Sequence, residues 1–130
     1  KPATVQMLKD GQISTIGNAT MMAYDSYNDQ LYMINAPFGG DKEYKVYNLK
    51  NGQTTTFLTN PDIFSPYSLT VNPVNGDVFI TSSTKNPDTG YADYTADCKL
   101  YRYTSAGILL GTYDCGVNPG TIVCDSYYQK

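Results

Sequence analysis

The stretch PYSLTVNPVNGDVFITSST, Pro66–Thr84, reads as two short strands, Ser68–Asn72 and Asp77–Ser82, joined at Asn75-Gly76. β-Branched and aromatic residues alternate on both sides of an Asn-Gly pair, and these two residues most readily accept the positive φ of a tight hairpin turn. The pattern recurs. Asp25, within Asn18–Ala36 (NATMMAYDSYNDQLYMINA), stands 47 residues before Asn72. Asp125, within Asn118–Tyr128 (NPGTIVCDSYY), stands 53 residues after it. A period of roughly fifty residues with several strands per unit marks a repeat architecture.

Outward from this centre the same punctuation continues. Upstream, Thr4–Leu8 and Gln12–Ile16 flank Asp10-Gly11, and Asn18–Tyr24 and Leu31–Asn35 flank Asn28-Asp29. Ala36–Lys42 leads into Tyr44–Leu49 and Thr54–Leu58, joined at Asn51-Gly52, and Thr59–Ser65 connects to the central hairpin. Downstream, the longest loop, Thr84–Asp97, precedes Lys99–Thr104, a turn at Ala106-Gly107, and Ile108–Cys115. No stretch carries the period of an amphipathic helix. The chain is therefore expected to be all-β, a partial β-propeller of four-stranded antiparallel blades, about two and a half blades of a larger ring. In this division residues 1–17 supply strands C and D of one blade, 18–60 and 61–116 are full blades, and 117–130 is the innermost strand of the closing blade. A β-sandwich, also built from short strands and tight turns, is the alternative.

Composition limits what such a chain does. Nine Lys and Arg against twelve Asp and Glu leave a net charge of −3, the wrong sign for nucleic acid or an anionic membrane surface. No apolar run reaches the roughly 18–20 residues of a spanning helix. No signal peptide precedes the first strand, so the chain reads as a mature or trimmed product. Histidine is absent, which removes Ser-His-Asp and Cys-His machinery from these residues. Glu43 is the only glutamate, and no glycine-rich phosphate loop opens a helix. Asp88, Asp93 and Asp97 share one loop and are candidate calcium ligands, but their spacing fits no EF-hand, and a solvated acidic loop is the simpler reading. No cofactor or structural metal is expected, and binding is favoured over catalysis.

In a meander, successive connections alternate ends. The short turns, rich in Asn, Asp and Gly, share one end. The long connections share the other, with Phe38, Asp41, Asp62, Phe64, Tyr67, Asp88, Tyr91, Asp93, Tyr94 and Asp97. Loops held by a rigid scaffold commonly carry binding groups, and aromatics beside carboxylates suit flat polar ligands. Phe38, Asp62, Phe64, Tyr67, Tyr91, Asp93 and Tyr94 are the candidate ligand-binding residues.

The run Tyr91–Val123 holds Ala92-Asp93-Tyr94, then Lys99–Tyr103 (KLYRY), Gly107, and Gly116-Val117-Asn118-Pro119-Gly120 before a final apolar strand. In these features it resembles the closing segment of YncE-like surface β-propeller proteins of gut Bacteroidetes. Such proteins are seven-bladed, exported and lipid-anchored, and some capture cobalamin on the loop face of the ring. The resemblance covers the last third of the chain and implies an end near the natural C-terminus, with further blades before it. It implies a cell-surface or periplasmic protein that captures a small molecule, a corrinoid among them, or a glycan, and passes it to an outer-membrane transporter. A protein-interaction scaffold and a hydrolase or lyase with its catalytic groups on other blades are the competing classes. Isolated, such a segment is expected to self-associate through its open blade faces.

Cys98, Cys115 and Cys124 depart from that family pattern. If Ala106-Gly107 is a two-residue turn, Cys98 lies directly opposite Cys115 at disulfide distance. If Gly107 instead ends a three-residue loop, Thr104 pairs with Ile108, Cys98 faces Asp114, and a bond needs a bulge.

Overall fold

The computed structural model describes residues 3–9, 11–37, 41–93 and 97–117. The regular structure of these residues is all strand. A hairpin of β1 (Ala3–Lys9) and β2 (Gln12–Ala19) comes first. Thr20 alone separates it from a four-stranded antiparallel meander of β3 (Met21–Asp25), β4 (Gln30–Asn35), β5 (Glu43–Asn48) and β6 (Thr54–Leu58). A second antiparallel sheet follows, with β7 (Ser65–Val71), β8 (Val78–Lys85), β10 (Asp97–Tyr103) and β11 (Leu109–Val117) as its four main strands. Within the span expected to be loop, β8 runs on to Lys85 and returns as the two-residue β9 (Ala92–Asp93).

The Asn-Gly pairs do not form two-residue turns. Asn72 N–H donates to Asp77 C=O and Gly76 N–H to Asn72 C=O, enclosing a four-residue loop, Pro73 to Gly76. The reason is the side chain that precedes the loop, which offers the backbone a local acceptor. Asn72 Oδ1 accepts the N–H of Val74 at 2.9 Å. Asp25, Asn48 and Asn86 do the same for Tyr27, Lys50 and Asp88, at 2.9, 2.8 and 2.8 Å. Four residues after each of these acceptors stands one with positive φ: Asp29, Gly52, Gly76 or Gly90. Of each Asn-Gly pair only the glycine takes positive φ, while Asn75 and Asn51 turn their side chains to the N–H groups of Asp77 and Gln53. Asp25 and Asn72, matched by spacing alone, thus occupy equivalent places.

The two sheets pack on one apolar core. Tyr32, Ile34, Tyr44 and Leu58 of the first meet Val71, Val78, Ile80 and Tyr103 of the second. Phe57 sets its ring edge-on between Tyr32 and Tyr103, with centroids at 4.7 and 6.1 Å. The sheets meet most closely along their first strands, β3 and β7. On its other face the first sheet packs Met33 and Tyr47 against Ala19 of β2.

This stack runs head to tail. With Asp25 matched to Asn72, Met21 and Ala23 correspond to Ser68 and Thr70, while Met22 and Tyr24 correspond to Leu69 and Val71. On β3 it is Met21 and Ala23 that pack into the shared core; on β7 it is Leu69 and Val71. Opposite faces of equivalent units therefore meet. Such a contact is not self-complementary, so it does not close on itself with two units.

The β10–β11 hairpin contains both registers that its sequence allows. Gly107 takes φ 88° and Thr104 N–H donates to Ile108 C=O at 2.8 Å, closing the three-residue loop. Tyr103 then pairs with Leu109, but a bulge shifts the next pair to Arg102 and Gly111, and that register holds to Lys99 and Asp114. Continued one residue, it sets Cys115 opposite Cys98, before a second shift ahead of the Asp97–Val117 pair. Cys98 is fully buried and disulfide-bonded; the side chains of Cys115 and Cys124 lie outside those described.

Candidate ligand-binding cleft

At the end of the sheets opposite the Asx-capped hairpin turns after Asp25, Asn48 and Asn72, two connections enclose a cleft. One is the approach to β5, with Asp41, Lys42, Glu43 and Tyr44; the other is the β6–β7 connection, with Asn60, Pro61 and Ile63. The cleft has a volume of about 630 Å³ and is broadly open.

Its second wall is set by a local device. Pro61 C=O accepts the N–H of Ile63 at 2.8 Å, a three-residue turn with Asp62 at its tip. That turn drives Ile63 into the inter-sheet core and leaves Asp62 exposed. Asn60 is held at φ 47°, although a residue before proline is normally extended. Asparagine tolerates this conformation better than most side chains, and residues held in it cluster at functional sites.

The floor is Tyr44, only 3 % exposed. Its hydroxyl is buried and has no hydrogen-bond partner among the described residues. Burial, and then the neighbouring hydroxyls of Tyr103 and Tyr101, push its pKa up to about 12. At neutral pH it is therefore a protonated donor and acceptor without a use. A buried hydroxyl left unpaired costs about 1–3 kcal/mol, so its position calls for an explanation.

The charges around it are mixed. Asp41, Lys42 and Glu43 are all exposed, and Glu43 stands 3.9 Å from Lys45, a distance and exposure at which an ion pair contributes little. Glu43 also borders a smaller cavity of about 300 Å³ between β2 and the first sheet, together with Asn35, whose buried Oδ1 has no partner among the described residues. No group of three or more metal-ligating side chains gathers among the described residues.

Of the residues singled out from the sequence, Asp62 and Phe64 stand on the connection that forms the second wall, but neither lines the cleft. Asp62 acts on the interior, where its charge adds to burial in raising the pKa of Tyr101 and Tyr103. Phe64 is partly exposed. Tyr67 is not a loop residue: it sits within β7 where the register slips between Pro66 and Ser68, and it is half-buried. The bulge spends one extra residue on the strand, which moves its start back to Ser65.

Tyr91, 66 % exposed, ends the turn into β9, with its N–H held by Thr89 Oγ1 at 3.2 Å. Asp93 pairs through its backbone with Thr84, and its side chain is not among those described, nor is that of Asp97. Phe38 and Tyr94 lie outside the described residues. Tyr91 does not line the cleft. Tyr44 and Asn60 were not marked by the sequence. Asn60-Pro61 carries a weak signal, since Asn before Pro initiates turns. Tyr44, inside the strand pattern EYKVYN, carries none.

No protein-family model matches the chain, and no curated protein matches it.

Proposed function

We propose that the chain is part of a β-propeller and serves as a non-catalytic binding protein. Its long-loop end would capture a small polar molecule or a glycan. Three features support the propeller: two four-stranded meanders, their head-to-tail stacking, and closest approach along the first strands. The observation that carries the binding reading is the cleft itself, an open concavity of about 630 Å³ at the long-loop end, bordered by the exposed side chains of Asp41, Lys42 and Glu43. An exported protein handing its ligand to an outer-membrane transporter is the setting we propose for it, in keeping with the resemblance in Tyr91–Val123.

A thermal-shift screen of the chain against sugars, nucleosides, cofactors and corrinoids tests this. A ligand that binds only the folded state raises the melting temperature by mass action. The shift should shrink in Asp41→Ala, Lys42→Ala or Glu43→Ala, with the unliganded melting temperature within a few degrees of the parent. No stabilising ligand, or a shift that none of these substitutions alters, would overturn the reading. A protein-interaction scaffold is the second reading. It draws support from the exposed Ile108, Leu109 and Leu110 at the start of the edge strand β11, where the equivalent strand β6 presents Thr54, Thr55 and Thr56.

A further inference from the structure

We infer that the outer face of the second sheet is the seat of this chain's own C-terminal segment, with Thr121–Cys124 laid over β7 as the first strand of a third unit. The inference concerns how the repeat continues and is independent of what the cleft binds.

The outer face is the repeat equivalent of a core. Residues paired across antiparallel strands share a face of their sheet. The 47-residue offset takes Tyr32 and Ile34 to Phe79 and Thr81, and the pairing then takes Tyr44 to Leu100 and Leu58 to Tyr113. In the first sheet these residues fill the inter-sheet core; in the second their equivalents turn away from it. Yet that side is covered at its centre: Thr81 is 1 % exposed, Ser83 3 % and Cys98 0 %. Among the described residues no sheet is stacked there. Asp25 is fully buried with the Gly76 turn against it, and Asn72, in the equivalent place, is buried as completely. The cover arises within a single chain, so a second copy does not supply it.

The face is also fit to be covered. Ser68 and Thr81 bond through their hydroxyls. Arg102, paired with Phe79 and so on the same face, is neutralised by Asp77 at 2.6 Å, and covering it strands no charge.

Residues 118–130 lie outside the described residues, and their sequence supplies the occupant. Asp125-Ser126-Tyr127 repeats Asp25-Ser26-Tyr27. Counted back from Asp125 as from Asn72, Ile122 and Cys124 take the places of Leu69 and Val71, the residues by which β7 packs into the inter-sheet core. Tyr113 to Asp125 spans twelve residues where the equivalent Leu58 to Asn72 spans fourteen, so nearly the same length of chain returns to the innermost position. With the head-to-tail contact repeated, Ile122 and Cys124 face Ser68 and Thr70, and Val123 points the other way.

Methyl-labelled NMR of the full chain tests this. Nuclear Overhauser contacts are expected from the Ile122 methyl to the methyls of Thr70 or Thr81, within one molecule. Ile122→Asp should remove them and lower the melting temperature by about 10 °C, because it sets a charge against a covered sheet face. Val123→Asp, one position along and facing away, should lower it by no more than about 2 °C. Equal losses from the two variants, or a parent chain without the Ile122 contacts, overturn the inference. Contacts seen only between labelled and unlabelled chains in a mixed sample would put a second copy's strand on the face and overturn the assignment to this chain's own segment.

Discussion

A Cβ placed on Gly76 would lie 2.6 Å from Asn28 Nδ2 and 3.3 Å from Asp25 Oδ2. Asn28 cannot simply swing away, because its Nδ2 already donates to Asp25 Oδ2 at 2.8 Å. Gly76 also has φ +79°, which an L side chain resists. Gly90 holds the equivalent place in the turn after Asn86, with φ +77°, yet its nearest neighbour is Lys85 Cε at 4.0 Å. The two glycines separate backbone strain from turn-to-turn packing. Gly90→Ala should cost about 1–2 kcal/mol from the left-handed conformation alone. Gly76→Ala should cost that and roughly 1–3 kcal/mol more from overpacking. Urea unfolding midpoints measure both, and equal losses would mean that the contact between the two turns adds nothing. Asn75-Gly76 announces a turn in the sequence, but not that this turn is pressed against the Asp25–Asp29 turn of the first sheet.

For single elements, the β10–β11 hairpin carries the sharpest expectation. Ala106 is a poor residue for positive φ, so the chain takes the three-residue loop with Gly107 in that role. That choice alone would leave Cys98 facing Asp114. The bulge next to Tyr103 restores the register in which Lys99 meets Asp114, with a 2.6 Å ion pair, and Cys115 comes opposite Cys98. The disulfide of Cys98 is therefore expected to be with Cys115. Non-reducing peptide mapping should yield a Cys98–Cys115 linked peptide. A Cys98–Cys124 peptide would instead tie β10 to the C-terminal stretch and refute the register argument. Bulges fall where packing asks for them, so spacing could offer two registers but not choose between them.

Across the whole molecule, the head-to-tail stack leaves one face incompletely covered. Val71 on β7 is buried at 9 % exposure, and Leu69 packs against the same core. Their equivalents on β3, Met22 and Tyr24, are 56 % and 55 % exposed, although Ala19 of β2 covers Met33 and Tyr47 on the same side of the sheet. An apolar strip of this kind should drive association as concentration rises. Sedimentation velocity over a concentration series is expected to give growing species for the chain and a monomer for the Met22→Lys/Tyr24→Lys double variant. A chain that stays monomeric throughout would refute self-association through this face.

Strand order, the two meanders and the sorting of short turns from long connections follow from the sequence by itself. They depend on alternation with period two and on Asx and Gly at fixed spacing, which are local properties of the chain. The candidate cleft does not. Asp62 and Phe64 were legible as exposed groups on a connection, and that connection does form one wall. Tyr44, which borders the cleft but buries its hydroxyl in the core, reads in EYKVYN as one more core position. Whether a buried hydroxyl finds a partner depends on which groups the opposing sheet brings to it. Here the second sheet brings Tyr101 and Tyr103 near enough to perturb its titration and neither as a hydrogen-bond partner. That outcome is set by how two sheets pack, a relation between residues far apart in the chain, and only the tertiary structure decides it.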